Sequence, residues 1–596
     1  MQVMVGLLTW VLVGITLYTV IAIGLKACGY FPEYISLSGP LMTIHTQRGR
    51  KLLDWLAQPK RFWRAWGNIG VGIAVVVMAL SGVIVVTSVF AIISQPEGAA
   101  IQNPQNVLVI PGVNDFLPLS AAPEIIFGLL VGLVVHEGGH GLLCRVEDIE
   151  IDSMGVALFA LIPIGAFVEP DADNQREADR GAQTRMFAAG ITNNFAVTAI
   201  ALLLLVGPIA ASVAVAPGAP VGDTLPGSGA EEAGLEHGDV ITAIDGQPVD
   251  NESHLEDVVD GVEGETVEVS LRDGEPVTVE RRLLILGAVP GVVEDVIGQD
   301  PLTRVTRVDG TPVDTESAFA SAVKTESIAT LTTNRGNVTI PVGAFVAQVN
   351  EGGPLADAGA PTDGTAVVIT QVGNQRVTNA SALRPALNQY EPGESVAVEA
   401  YVEGQQMVTD VQLGENDDGE PILGVGVQDG YSGLILDDFG VDAYPANQFL
   451  TMLTGQAIPD GVGIAGGVFF YLIQLLVLPF AGLVGPDLNY NFAGFTADVT
   501  GFFVVEGPLA FVGGAILLGA NLLFWTAWIN FNLALFNCIP AFPLDGGHIM
   551  RTSVESVASR LSLPYGRQVV TAITLSITVA MIGALLVMIF GPMLLA

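Results

Sequence analysis

Six charge-free apolar runs, at residues 4–25, 71–93, 186–215, 461–486, 507–544 and 568–596, are too long to be ordinary core segments of a soluble protein. A shorter run, 125–135, leads directly into a charged cluster. About 20 apolar residues cross the ~30 Å hydrocarbon core of a bilayer, so most of these runs suffice to span it. The overall composition, 50% hydrophobic and 14% charged, agrees. The chain therefore reads as a polytopic α-helical membrane protein with about six transmembrane helices. The first run lacks a basic flank before it and a small-residue cleavage site after it, so it reads as a retained anchor.

Charge sets an expected orientation. Lys26, Arg48, Arg50, Lys51, Lys60, Arg61 and Arg64 crowd the loop between the first two runs, which the positive-inside rule places in the cytoplasm. The amino terminus is then extracytoplasmic, the third span ends near the cytoplasmic side, and Arg145, Arg176, Arg180 and Arg185 follow it there. The next span leads to an extracytoplasmic region, 216–442, with only nine basic residues among many acids. Parity then requires the segment around 461–486, which contains Pro479, to dip in and return or to lie at the interface. The net charge of −38, carried mainly by loops, argues against nucleic-acid binding. An acidic, lysine-poor soluble portion is similar to proteins of salt-loving organisms, and its self-repulsion predicts stabilisation by salt. The cysteines, Cys28, Cys144 and Cys538, lie in or beside the apolar runs, which gives no disulfide framework.

The 216–442 region repeats itself. Residues 233–249 read AGLEHGDVITAIDGQPV and residues 354–377 read PLADAGAPTDGTAVVITQVGNQRV, while 302–313, LTRVTRVDGTPV, repeats only the strand and turn. Each copy predicts an alternating strand, a glycine-bearing turn and a second short strand; amphipathic helices follow at 253–262 and 381–388. The first copy resembles the PDZ domains of bacterial and archaeal proteases. That resemblance implies β-rich (α+β) domains that take up peptide C-termini or extended segments at a sheet edge. The expected divisions are 1–121, a two-helix region with its basic loop, and 122–215, the first catalytic part. The PDZ-like domains occupy 216–288, 289–345 and 346–442. A re-entrant or interfacial segment at 443–505 and a second catalytic part at 506–596 complete the chain.

The sharpest motif is His136–Glu137–Gly138–Gly139–His140. Histidines four apart on a helix project from one face and can hold one Zn²⁺, with the glutamate beside the metal's water. Ionisable groups inside an apolar segment are costly and usually mark function. A third ligand is needed, and the histidines at 45, 237 and 254 lie in loops or repeats, which leaves two carboxylates. Glu169 follows a glycine- and proline-bearing apolar stretch; Asp545 sits in NCIPAFPLDGGHI, residues 537–549, where two prolines interrupt the helix.

These two motifs together resemble the site-2 proteases, intramembrane zinc metalloproteases. The resemblance extends to EGP at 506–508, NLALFN at 532–537 and AGITNN at 189–194, where the family's usual proline is replaced by Ile191. It implies one Zn²⁺ per chain held by His136, His140 and Asp545, with Glu137 as the catalytic base. It further implies substrate contacts from Asn194, Asn532 and a re-entrant β element at 153–168, including Gly165, Ala166 and Phe167. His548 reads as structural. The implied activity is cleavage of single-span membrane proteins in regulated signalling, with the active site toward the cytoplasm and the repeats outside. Two other readings stay open: a membrane-anchored zincin with a glutamate ligand and a cytosol-facing site, and a catalytically silent PDZ-bearing scaffold. Intact Glu137 and Asp545 argue against the scaffold.

Overall fold

A computed structural model describes residues 2–32, 34–96, 106, 109–114, 117–160, 162–288, 302–459, 461–484, 489–561 and 566–595. The chain divides into a helical unit, 1–214 with 447–500 and 504–596, and a β-rich unit, 215–446 with 501–503.

In the helical unit the main helices are α1 (Gln2–Ala27), α2 (Gln47–Leu56), α3 (Lys60–Ser94), α4 (Ala122–Val146), α5 (Arg180–Leu204), α6 (Ile464–Val477), α7 (Ala515–Asn537), α8 (Asp545–Arg560) and α9 (Gly566–Leu595). Six helical stretches among the described residues are long and apolar enough to cross a membrane: Lys60–Ser94, Leu119–Val146, Arg180–Ser212, Ile464–Leu483, Ala515–Asn537 and Gly566–Leu595. The protein is a polytopic helical membrane protein with inserted β-rich domains.

Helices α4, α5 and α7 form its centre, and glycine explains how closely they pack. A Cβ on Gly128 would stand 2.8 Å from the Trp525 carbonyl oxygen, and one on Gly139 would stand 2.9 Å from the Ala189 oxygen. Without side chains at these positions, backbone approaches backbone, which is how helices associate where the surrounding lipid offers no hydrophobic drive. Gly128 lies beside Trp525 and Gly132 beside Leu533, so α4 and α7 run in the same direction. Gly139 meets Ala189, and Thr198 Oγ1 donates to the Ala527 oxygen, so α5 runs against both.

The connection from α5 to α7 must therefore return to the side it left. Residues 464–484 illustrate how. Trp528 Nε1, in the middle of α7, donates to Leu476 O at the end of α6. Phe492 N donates to Leu478 O, Trp525 Nε1 to Ala493 O, and Asn521 binds both the N–H and the carbonyl of Phe495. The chain thus runs back beside α7, and α7 side chains satisfy the irregular backbone that apolar surroundings would otherwise penalise. The helical part of this segment, Ile464–Leu483, is itself long and apolar enough to cross a membrane.

The expected β element is a hairpin, β3 (Ile151–Phe159) and β4 (Ile162–Pro170). It is widened by two strands of the basic loop, β1 (Ile35–Ser38) and β2 (Leu41–His45), in the order β1-β2-β3-β4. β4 ends the sheet.

The β-rich unit holds three sheets of one topology, nested one within another. The first contains β5 (Ala219–Thr224), β6 (Val240–Ile244), β7 (Thr266–Leu271) and β8 (Val277–Glu280). The second contains β9 (Leu284–Ala288), β10 (Thr303–Val308), β11 (Ile328–Thr333) and β12 (Gly336–Pro341). The third contains β13 (Ala344–Val349), β14 (Val367–Val372), β15 (Ser395–Val402) and β16 (Gln405–Gln412). The chain then returns through β17 (Val425–Gln428), β18 (Leu434–Asp437) and β19 (Val441–Ala443), which complete the third, second and first sheets respectively. The contiguous segments 216–288, 289–345 and 346–442 are thus interleaved: 284–288 belongs to the second sheet and 344–345 to the third, while the closing strands come from 425–443. The 289 boundary lies outside the described residues. The middle copy, expected as strand and turn only, carries the same strand order as its neighbours.

Recurring local chemistry explains the common fold. Asp245–Gly246 and Asp309–Gly310 both take positive φ, as a tight hairpin turn demands, and each aspartate accepts a backbone N–H from the adjacent strand. Asn251, Thr315 and Asn379 cap the helices Glu252–Asp260, Glu316–Val323 and Ala380–Leu387. Each sheet closes over its own core, around Val269, Phe319 and Ile369. Arg281, fully buried, binds Asp438 through Nη2 at 2.7 Å, and the same carboxylate accepts Glu316 N–H, tying the first two sheets.

Candidate metal centre

The centre is assembled within the helical unit from the ends of two helices. His136, Glu137 and His140 lie in the second half of α4, and the imidazoles share one face, their ring centres 4.8 Å apart. Asp545 is the first residue of α8, which begins immediately after the turn containing Pro540 and Pro543. The two glycines that follow explain that sharp entry: a Cβ on Gly546 would meet Cys538 O and Ile539 O at 2.5 Å, and one on Gly547 would meet Ala541 at 2.7 Å. Only glycine lets the first turn of α8 fold back onto the preceding turn.

Asp545 Oδ2 lies 3.1 Å from His136 Nε2 and 3.3 Å from His140 Nε2. All three side chains are largely buried, and their ligand atoms lie within 4.8 Å of one another. His140 Nδ1 faces Met186 O at 2.8 Å, so Nδ1 carries the proton and Nε2 presents a lone pair toward the carboxylate. Lone pair then faces lone pair, and Asp545 Oδ2, although buried, has no hydrogen-bond donor. A cation between them resolves the conflict. Ligands about 2.0–2.1 Å from a tetrahedral zinc stand about 3.3 Å from each other, close to the spacing here. The donor set, two imidazoles and one carboxylate, suits zinc and leaves a fourth position open.

The surroundings orient these ligands. Asn194, fully buried, places Nδ2 3.4 Å from His136 Nδ1, while its Oδ1 has no partner. Exchanging the two amide atoms, which differ little in shape, lets Oδ1 accept the Nδ1 proton and frees His136 Nε2 for the metal. Gly190 fills the remaining side: a Cβ there would stand 2.7 Å from His140 Nε2 and 2.8 Å from His136 Cε1. Glu137 Oε2 accepts the Val168 N–H at 3.0 Å, which ties the carboxylate to β4.

The other expected site residues are placed as follows. Asn194 touches a candidate ligand instead of an open cleft. Asn532 Nδ2 donates at 2.8 Å to Trp528 O, one turn back in its own helix. Gly165 has no atom within 4 Å of a Cβ position, and Ala166 pairs with Val156 of β3. Phe167 packs edge-on against His45, ring centres 5.3 Å apart. Glu169, the rival ligand, bonds Ser153 Oγ at 3.1 Å at an exposed position and is not among the clustered ligands. His548 stacks on Phe187 at 4.3 Å and meets Phe542 at 4.7 Å, which makes it an aromatic packing residue. Gly190, Met186 and Val168 escaped sequence reasoning; a glycine within the AGITNN motif was the sole signal for the first. The three cysteines are free.

Comparison with known proteins bears on this arrangement. A family model described as peptidase family M50 matches residues 124–581, which include both motifs and the β-rich insertion. A protein of Clostridium perfringens named as a candidate zinc metalloprotease is 26% identical over 267 residues, covering 40% of this chain and 77% of that protein. An uncharacterised Methanocaldococcus jannaschii protein is 50% identical over 40 residues, 7% of this chain and 11% of that protein's length. A solved PDZ domain of an SdrC-like protein from Listeria monocytogenes aligns over 14% of this chain and 86% of its own, at 17% identity and a TM-score of 0.13. With its metallopeptidase ligand pattern and a family match over most of its length, the chain belongs to peptidase family M50, the site-2 protease family.

Proposed function

We propose that this chain hydrolyses peptide bonds within transmembrane segments of other membrane proteins. The observation that carries the reading is the Asp545 carboxylate, more than 400 residues from the histidines in sequence, standing 3.1 and 3.3 Å from both imidazoles among apolar helices. His136, His140 and Asp545 would hold one Zn²⁺, which when bound acidifies a water and polarises the scissile carbonyl. Glu137 takes the water's proton and passes it to the leaving nitrogen. The Val168 N–H fixes one carboxylate oxygen, so the other is directed to the water.

A helical peptide bond has its polar groups satisfied and resists attack. β4 ends its sheet; the Val168 N–H on this terminal strand is taken by Glu137, and Gly165 and Ala166 lie further along the same strand. A substrate segment unwound into an extended strand pairs there and presents its backbone at the site. The substrates are single-span proteins acting in regulated signalling, and the β-rich domains, holding C-termini or extended segments, screen their outer portions. The amino terminus and these domains are extracytoplasmic and the active site faces the cytoplasm, in keeping with the basic loop at 26–64. The acidic β-rich unit works in a salt-rich medium.

The test uses the full chain purified in detergent and high salt. Cleavage of a transmembrane peptide by wild type, absent in Glu137→Gln with zinc retained, supports the proposal. Cleavage confined to soluble unfolded peptides, with transmembrane peptides untouched, overturns the intramembrane reading. Loss of activity in Glu169→Ala together with retention in Asp545→Ala favours the glutamate-ligand zincin.

A further inference from the structure

The chain has 23 basic residues against 61 acidic ones, so a place where arginines converge is notable. One such place lies in the helical unit, away from the metal centre. Arg180 on α5, Arg551 on α8 and Arg567 on α9 line a cavity of about 560 Å³. Among the described residues Glu555 is the one carboxylate in its wall; it lies 3.1 Å from Arg551 Nε and 4.0 Å from Arg180 Nε. Arg180 Nη1 also donates to Ser559 Oγ at 3.0 Å. Among the described residues no ion pair reaches Arg567. Three guanidiniums against one carboxylate leave a local excess of positive charge, with the Ser559 and Thr571 hydroxyls beside it.

Position narrows the ligand. Arg180 opens one candidate membrane span, and Arg567 is the second residue of another. The cavity therefore lies where two apolar helices leave the hydrocarbon, the depth occupied by lipid headgroups. Further along α9, Leu575 and Val579, each one turn beyond the last from the cavity-lining Thr571, are exposed, an apolar track for a chain running into the hydrocarbon from the same mouth. Guanidinium groups bind phosphate oxygens through paired N–H donors, and basic pockets between membrane helices take anionic headgroups.

We propose that this cavity is a binding site for the phosphate of an anionic phospholipid headgroup. Phosphate chemistry alone is shared with free phosphate; the span-end location and the apolar track on α9 select the lipid. The bound headgroup draws α5, α8 and α9 together. Because α8 begins at Asp545, its occupancy steadies the helix that carries this carboxylate. Arg551 lies six residues beyond Asp545 and belongs to the lipid site, not to the metal centre.

Native mass spectrometry and thermal unfolding of the full chain in nanodiscs provide the test, comparing phosphatidylcholine alone with an equimolar mixture of phosphatidylcholine and phosphatidylglycerol. Wild type should retain phosphatidylglycerol on release and unfold at a higher temperature in the mixture. Each arginine near a lipid surface contributes about fivefold in affinity, so Arg551→Gln with Arg567→Gln should weaken retention about 30-fold. Should that pair fail to fold, Arg567→Gln and Arg567→Lys carry the test, the first losing about fivefold and the second keeping most of the affinity. Equal retention of the two lipids, or undiminished retention in the glutamine variants, overturns the proposal. Inorganic phosphate reproducing the thermal shift assigns the cavity to a soluble anion instead. Displacement of the lipid by a soluble acidic peptide at matched concentration assigns it to a substrate flank and also overturns the lipid site.

Discussion

Replacing Gly190 with alanine adds one methyl group, and the structure says where it goes. That Cβ would stand 2.7 Å from His140 Nε2, 2.8 Å from His136 Cε1 and 2.9 Å from His136 Nδ1. Non-bonded carbon contacts are comfortable at about 3.5–4.0 Å, so both rings must retreat by about 0.7 Å or more. Metal ligands tolerate displacements of about 0.2 Å, so the required movement exceeds the tolerance several-fold. Disturbing the residues that merely orient ligands costs about 10- to 100-fold in metal affinity, and this substitution moves the ligands themselves. Gly138, between the two histidines in sequence, is the control: no atom lies within 4 Å of its Cβ position. Gly138→Ala should keep the metal and gain about 1 kcal/mol of helix stability. The assay is zinc content of the full chain after dialysis against graded chelator, with circular dichroism to show that helices persist. Gly190→Ala should release zinc at chelator levels at least tenfold lower than wild type; retention within twofold of wild type would refute the packing argument.

Three further outcomes follow from other parts of the molecule. Val168→Pro removes the N–H that holds Glu137 but sits on the terminal strand with that N–H directed away from β3, so it should lower kcat about 10- to 100-fold with little change in KM; equal kcat rules the hydrogen bond out of catalysis. Asn521→Ala removes the side-chain partners of the Phe495 N–H and carbonyl in an apolar setting, which costs about 2–4 kcal/mol and should appear as faster hydrogen exchange across residues 489–500; unchanged exchange contradicts the clasp. In the β-rich unit, burial and then repulsion by Asp260, Asp438 and Asp437 push the Glu316 carboxyl up from 4.5 to about 7, and burial first pushes Asp437 up to about 6. Raised carboxyls stabilise the fold fully below their unfolded values and lose that contribution as pH rises through the folded ones. Protection of the helix Glu316–Val323, corrected for intrinsic exchange, should therefore increase from pH 8 to pH 6, and Glu316→Gln should weaken that dependence; an equal dependence in both proteins contradicts it.

The legible parts of this protein are those whose meaning is local. His136 and His140 are four residues apart, so their shared face follows from helix geometry alone, and the apolar runs announce the bundle by length. Asp545 stood out because a charge, two prolines and two glycines close a very long apolar stretch. Gly190 could not be read in the same way: its role depends on which helix it faces, and AGITNN names no neighbour. Ile35–Ser38 and Leu41–His45 are too short to stand as strands without β3, whose pairing orders them. The nested sheets were hidden by distance. Val441–Ala443 is three residues long and finds Thr224–Val221 more than 200 residues earlier, so no repeat search on contiguous segments assigns it to the first sheet. Asn521, Trp525 and Trp528 look like ordinary polar and aromatic residues of a span until the returning chain gives them backbone groups to bind.

The claim on which the rest depends is that two distant segments share one metal ion. X-ray absorption at the zinc edge, with metal analysis of the purified full chain, addresses it directly. The structure predicts one zinc per chain with two histidine nitrogens and carboxylate oxygen at about 2.0–2.2 Å, and loss of that zinc in a folded Asp545→Ala variant. A sulfur neighbour at about 2.3 Å, or zinc bound with undiminished affinity by Asp545→Ala, would contradict it.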